Sequence, residues 1–147
     1  MPLIRHKKAH LNYEILEKLE AGIELIGIEV KSLKKGEGSL EGSYIVVRGG
    51  EAFLTGAHIP PYQQRNTPKD YDPYQNRKLL LKKKELAYLE NKEAQKGLTI
   101  LPISMYNKGR KIKLEVAIAR GKKKYDKRET IKKRESDREI RRTLKLK

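Results

Sequence analysis

The sequence predicts a mainly β protein: a small β-barrel with short embedded helices, followed by a flexible basic C-terminal tail. Three observations carry this. Apolar residues recur at even spacing through much of the first 120 residues, two strand-like runs flank Gly49-Gly50, and the last 27 residues have no core to bury. That closing stretch, "GKKKYDKRETIKKRESDREIRRTLKLK", holds 13 Lys or Arg; only Tyr125, Ile131, Ile140, Leu144 and Leu146 are sizeable and apolar. The expected division is a domain over residues 1–120 and a tail over 121–147.

The elements follow in order. In "YEILEKLEAGIELIG", apolar side chains at Tyr13, Ile15, Leu19, Ile23 and Leu25 predict either one long bent strand or two strands, Tyr13–Glu20 and Ile23–Gly27, with a bend or bulge at Ala21-Gly22. "IEVKSLKKG" predicts a short helix ending at Gly36, its lysines near the C-terminal end where the helix dipole favours them. Tyr44–Arg48 and Glu51–Thr55 read as a hairpin turning at Gly49-Gly50. Residues 58–76 hold four prolines and predict an irregular connection long enough to suggest function. From about Asn76 to Lys96 the pattern predicts a helix, capped by Asn76, ended by Gly97 and apolar along Leu79, Leu86 and Leu89. "LTILPISMY" and "KIKLEVAIARG" predict a final strand pair. In the second, Ile112, Leu114, Val116 and Ile118 share one face and Lys111, Lys113 and Glu115 the other. Several short strands around an embedded helix point to an oligonucleotide-binding (OB) type of barrel.

Charge narrows the partners. Of the net +16, residues from Arg120 onward carry +9, with 14 Lys or Arg against 5 Asp or Glu. The first 119 residues carry +7, with 21 against 14. Both parts being basic, a polyanion is the expected partner, nucleic acid ahead of an anionic membrane surface. The chain has no cysteine, which excludes disulfides and thiolate metal sites. It has no apolar run near the ~20 residues of a membrane span, and "MPLIRHKKAH" has no signal-peptide core, so a cytoplasmic location is expected.

Little of the sequence suggests catalysis. His6 and His10 stand four apart but have no third ligand in view, so no metal is expected. Glu20 and Glu29 are the one pair readable as acid and base, and carboxylates among lysines are more often ion-pair partners. "GEGS" at 36–39 lacks the spacing of a phosphate loop. Binding chemistry is better represented. Lys7 and Lys8 in "RHKKAH", Lys31 in "EVKSLKK", Arg77 and Lys78 in "NRKLLLKKK", and Lys111 and Lys113 form cationic clusters that a barrel can gather for phosphates. Tyr62, Tyr71 and Tyr74 are candidates for stacking on unpaired bases.

"KKAH", "EAGIELIGIEVKSLKKG", "SYIVVRGGEAFLTGAHI", "RKLLLKKKEL" and "GKKKYDKRETIKKRE", in this order over residues 7 to 135, resemble the small protein B (SmpB) family, bacterial partners of transfer-messenger RNA. The resemblance implies a non-enzymatic, cofactor-free adaptor on an OB-type barrel. It would bind the tRNA-like domain of transfer-messenger RNA and deliver it to ribosomes stalled without a stop codon, leading to rescue and tagging of the nascent peptide. It implies that the tail is flexible when free and helical in the empty messenger channel, near the decoding-site RNA of the small subunit. Elongation factor Tu on the same RNA is a further candidate partner, and a monomer is expected. By motif, Glu20 matches the "EAG" glutamate, Leu80 the middle leucine of "KLLL" and Lys113 a strand lysine, all tied to RNA binding in the family. Leu80, in a run of leucines, equally fits a core position. Gly121, Lys122, Lys123, Tyr125, Asp126, Lys127 and Arg128 match the hinge and "DKR" element used on the ribosome, with Tyr125 where many members have His. In the tail, Glu129–Lys133 and Asp137–Arg141 are i,i+4 pairs worth ~0.2–0.5 kcal/mol each, enough only for a marginal helix in water. Two alternatives remain open: a general RNA-coating or ribosomal protein, and an RNA-processing enzyme using Glu20 and Glu29.

Overall fold

The computed structural model describes residues 2–63 and 67–122. The strands are β1 (Pro2–Arg5), β2 (Tyr13–Ile23), β3 (Tyr44–Arg48), β4 (Glu51–Thr55), β5 (Arg77–Leu80), β6 (Leu98–Lys108) and β7 (Lys111–Gly121). The helices are α1 (Ala9–Asn12), α2 (Gly27–Lys34) and α3 (Lys83–Ala94). All pairings are antiparallel in one sheet of order β1-β6-β7-β2-β5-β4-β3. Register shifts between Ile15 and Glu17 on β2 and between Pro102 and Ser104 on β6 are irregularities of the bulge type, which bend long strands and let a sheet curl. The curl brings β3 beside β6, with α3 against both. Ile45, Val47, Leu54, Ile100, Met105, Leu114, Val116 and Ile118 fill the interior, joined by Leu33 of α2 and Leu89 of α3. A smaller cluster of Ala9, Leu101 and Ala119 packs separately with Tyr13, Ile15 and Ile103.

The mainly β class and the hairpin stand as expected. Arg48 faces Glu51 across a two-residue turn in which Gly49 and Gly50 both have positive φ, 60° and 74°, the backbone that favours glycine. The helix expected from Asn76 is corrected. Residues 77–80 form a strand rather than the start of a helix. Arg77 and Leu79 point inward while Leu80 faces out, and β5 is held between β4 and β2. The helix starts instead after Lys82, whose backbone N–H donates to the Glu85 side chain at 2.9 Å, so Asn76 caps nothing. Of the two readings of residues 13–27, the single long strand holds: β2 runs through Ala21-Gly22 to Ile23, its irregularity lies near Ile15 rather than at Ala21-Gly22, and no second strand follows before α2. The N-terminal segment is an edge strand on β6 followed by a single helical turn.

The 58–76 connection is irregular, as expected, and an interior ion pair pins it. Arg77 is 2% exposed, and its Nε and Nη2 both lie 2.7 Å from Glu29 Oε2. Nη1 donates to the Ala57 carbonyl at 2.7 Å and Nη2 to that of Pro73 at 2.9 Å. Gln75 Nε2 donates to the same Glu29 oxygen at 3.3 Å, and the Tyr71 hydroxyl donates to the Ile59 carbonyl at 2.7 Å. Burial, and then the Glu29 charge, raise the Tyr71 hydroxyl's pKa above its ordinary value. Glu29 Oε1 accepts the Ile26 N–H at 3.0 Å and so also caps α2. Among the described residues no buried side-chain polar atom lacks a partner. A paired, fully hydrogen-bonded network is the condition under which buried charge is tolerated.

Candidate nucleic-acid interface

Alternation along β2, β7, β6 and β5 builds an outward face. Gly22 of β2 lies opposite Lys113 of β7 on one side and Leu80 of β5 on the other, and Lys113 lies opposite Tyr106 of β6. Tyr106, Lys113, Gly22 and Leu80 thus form one row across four strands. The next row sets Glu20 opposite Glu115. Their like charges are offset separately, by Lys18 at 3.5 Å from Glu115 and by Lys108 at 3.0 Å from Glu20. The Tyr106 hydroxyl donates to Glu20 Oε2. That hydrogen bond, then the one from Lys108, lowers the Glu20 carboxyl's pKa below its ordinary value. Tyr106 responds in the opposite sense, its phenol raised by burial and then by its bond to Glu20.

Leu80 is 51% exposed, which decides its position: it belongs to the surface and not to the core. It stands over Gly22, where an added Cβ would meet the Leu80 Cβ at 3.0 Å. Leu80, Gly22, Leu25 and Val30 line a recess of about 230 Å³ rimmed by Arg110, Lys111 and Lys113. A wider cleft of about 740 Å³ lies towards β1 and includes Arg5, His6, Lys7, His10 and Asn107, with Tyr106 in its wall. An apolar floor with a cationic rim suits a nucleotide, whose base is apolar on its face and whose phosphate is not.

The structure therefore brings Glu20, Leu80 and Lys113 together from three strands and adds Lys7 through the cleft. Lys8 is exposed at the start of α1. Lys31, exposed on α2, holds its ammonium 5.7 Å from the Tyr62 ring centre, beside Lys35 at 4.7 Å. Lys78 pairs with Glu51 at 3.3 Å. Arg77 is placed in the interior with Glu29, where no phosphate reaches it, because the strand turns it inward. Of the three loop tyrosines, Tyr71 spends its hydroxyl inside and Tyr62 lies under the two lysines. Tyr74 is 57% exposed, its ring 4.8 Å from that of His58. Glu29 and Glu20 serve separate networks and do not form a pair. Gly121 ends β7 opposite Tyr13, and Lys122 is tied to α1, its N–H donating to the Asn12 carbonyl at 2.9 Å and its Nζ to that of His10 at 2.8 Å. Lys123, Tyr125, Asp126, Lys127, Arg128 and the expected tail helix lie outside the described residues.

Tyr106, Lys108, Arg110 and Gly22 are site residues that sequence reasoning missed. A signal existed for two of them, since Ser104, Tyr106 and Lys108 alternate on a strand whose partner's polar face had been read. Among the described residues no group of three metal-ligating side chains occurs, and no helix is long and apolar enough to cross a membrane.

Comparison with known proteins identifies the family. Residues 3–146 match the sequence profile of the SmpB protein family. The chain is 45% identical over 140 residues to the SsrA-binding protein of Microcystis aeruginosa, covering 95% of this chain and 91% of that one. It is 47% identical over 138 residues to that of Syntrophobacter fumaroxidans, covering 94% and 85%. A solved structure described as "tmRNA-SmpB: a journey to the center of the bacterial ribosome" superposes with a TM-score of 0.69 at 41% identity, covering 86% of this chain and 92% of that one. The chain belongs to the SmpB family.

Proposed function

We propose that the protein is an RNA-binding adaptor of trans-translation, which binds transfer-messenger RNA and brings it to stalled ribosomes. The observation that carries this is the convergence of Glu20, Leu80 and Lys113 on one outward face rimmed by Arg110 and Lys111. Relatives named SsrA-binding protein and a tmRNA–SmpB structure of the same fold support it. In this reading the face takes the tRNA-like domain, with Lys7, Lys8, Lys31 and Lys78 as phosphate contacts at its margins. The +9 carried from Arg120 onward suits it to ribosomal RNA. Residues 121–147 then act as a unit apart from the 1–120 domain. They occupy the empty messenger channel and decoding region through Gly121, Lys122, Lys123, Tyr125, Asp126, Lys127 and Arg128. The protein works in the cytoplasm as a monomer, without catalysis, on an RNA that elongation factor Tu also holds.

The test is a titration with the tRNA-like domain against an ordinary tRNA as competitor, at 50 and 200 mM salt. Non-specific binding through six to ten phosphates weakens ~10³–10⁵-fold over that range and treats both RNAs alike. A preference for the tRNA-like domain that survives 200 mM salt is expected. Equal binding that collapses with salt leaves only an RNA-coating protein.

A further inference from the structure

We propose that the outward face of β3, β4 and β5, centred on a cleft between Phe53 and Ile26, docks a protein segment that presents an apolar side chain beside a lysine or arginine. The inference rests on the adaptor reading above, because the stalled ribosome is where such a partner is met.

Cross-strand register builds the face. Ile45, Val47, Ala52 and Leu54 turn inward, so Tyr44, Val46 and Phe53 turn outward, with Val46 opposite Phe53 and Phe53 opposite Lys78. Phe53 is the one phenylalanine of the chain, and the alternation of β4 sets it on the outside of the sheet. Tyr44 is 48% exposed, and Ile26, in the turn between β2 and α2, is 45% exposed. Phe53, Leu25 and Ile26 line an open cleft of about 620 Å³ together with Glu24, Asn76 and Lys78. Ile23 and Leu25 also line the recess beneath Leu80 and so separate the two hollows. Large apolar side chains exposed together, with polar groups around them, mark a surface that another molecule covers.

Charge favours a protein over RNA as the occupant. A phosphate-binding face needs surplus cations, because their pairing with phosphates and the release of counterions supply the affinity. The recess beneath Leu80 has that surplus, with Arg110, Lys111 and Lys113 and no acid in its lining, and in the cleft by β1 Arg5 and Lys7 outnumber Glu115. Around Phe53 the charges cancel. Arg48 and Lys78 are matched by Glu51 and Glu24, and Arg77 beneath them by Glu29. On a chain of net +16 this neutrality is a local departure. An aromatic anchor in a charge-balanced centre with a polar rim has the composition of a protein–protein interface. Among the described residues Glu24 has no ion pair, and it stands exposed at the rim, where an arriving cation finds an acceptor.

The cleft is also preformed. The Glu24 N–H donates to the Lys78 carbonyl at 2.9 Å and the Ile26 N–H to Glu29 Oε1 at 3.0 Å, so the turn carrying one wall is tied to β5 and to α2. A wall already fixed loses little freedom when a partner binds.

The experiment uses the full chain with transfer-messenger RNA and purified ribosomes stalled on a message without a stop codon. With photoreactive benzoylphenylalanine replacing Ile26, irradiation is expected to give an adduct that needs the ribosome, that protease destroys and that ribonuclease leaves intact. Ile26→Ser removes the apolar anchor yet keeps the backbone N–H that Glu29 accepts, and serine is favoured where a helix begins. It should weaken association with the stalled ribosome roughly tenfold, the scale of an interface anchor, and leave the melting temperature and the affinity for the tRNA-like domain at their wild-type values. Glu24→Lys should weaken ribosome association too, whereas a phosphate at this face would make the added cation strengthen it. An adduct destroyed by ribonuclease, a crosslink to a second copy of the chain, no adduct, or ribosome association unchanged or strengthened in these variants each overturn the proposal. If the wild-type chain still carries transfer-messenger RNA to the stalled ribosome, only the docking assignment falls. If it does not, the adaptor reading falls and this inference with it.

Discussion

Arg77→Met removes one side of the interior ion pair and leaves the Glu29 carboxylate buried among Tyr71, Gln75 and the α2 N-terminus. Breaking a buried pair from one side costs about 3–5 kcal/mol, a large share of the ~5–15 kcal/mol that holds a domain together. The Ala57 and Pro73 carbonyls lose their donor at the same time, which places the cost at the upper end. With an unfolding entropy near 2.1 cal/mol/K per residue over about 120 residues, the melting temperature should fall by roughly 12–20 °C. Arg77→Lys should recover little, since one ammonium cannot reach the separate acceptors that the guanidinium fork spans. Thermal and urea unfolding of the full chain measure this. Replacing both Glu29 and Arg77 by Met should cost less than the two single changes together, by ~1–3 kcal/mol, because no lone charge is left inside. Below the melting transition RNA affinity and its salt slope should be unchanged, whereas a lost phosphate contact would flatten the slope by roughly 0.7–0.9. A fall of under ~4 °C together with a flatter slope would show that Arg77 faces the RNA and that the interior pair is misassigned.

Gly22→Ala places a methyl 3.0 Å from the Leu80 Cβ and should push Leu80 out of its seat, costing about 1–3 kcal/mol of stability and roughly tenfold in RNA affinity, read by melting and by titration. Glu93→Ala deprives the Val47 N–H of an acceptor at 2.8 Å and loosens α3 from β3; urea unfolding should show a loss of ~1–3 kcal/mol. A chain ended after Lys122 keeps every described strand and the Lys122–Asn12 bond. It should bind the tRNA-like domain within a few fold of the full chain yet fail to tag peptides on stalled ribosomes. Normal tagging by that truncation would remove the tail from the mechanism.

Local chemistry was readable where one short stretch decides its own shape. Gly49-Gly50 between two β-rich runs specifies a hairpin without outside help, and the alternation in residues 111–118 specifies which side of β7 is wet. Charge was equally legible, since lysines count the same wherever they fold, and it pointed to a polyanion before any geometry was known. The motifs carried the family and, through it, Glu20, Leu80 and Lys113. What could not be read was pairing across long separations. "RKLLL" satisfies a helix or a strand period equally well, and only the places open beside β4 and β2 select the strand. That selection turns Arg77 inward to Glu29, 48 residues away, and Leu80 outward to Gly22. Gly22 likewise reads as a bend in isolation, and becomes a close-approach site only once β5 lies against it. Tyr106 and Lys108 stand 86 and 88 residues from the carboxylate they hold, so alternation along β6 can place them on its outward side but cannot name Glu20 as their partner. Sequence determined the β3–β4 hairpin, the alternation of β7, the charge and the family. Tertiary structure decided which charges are buried and which form the face, because those depend on strand neighbours that only the closed sheet supplies.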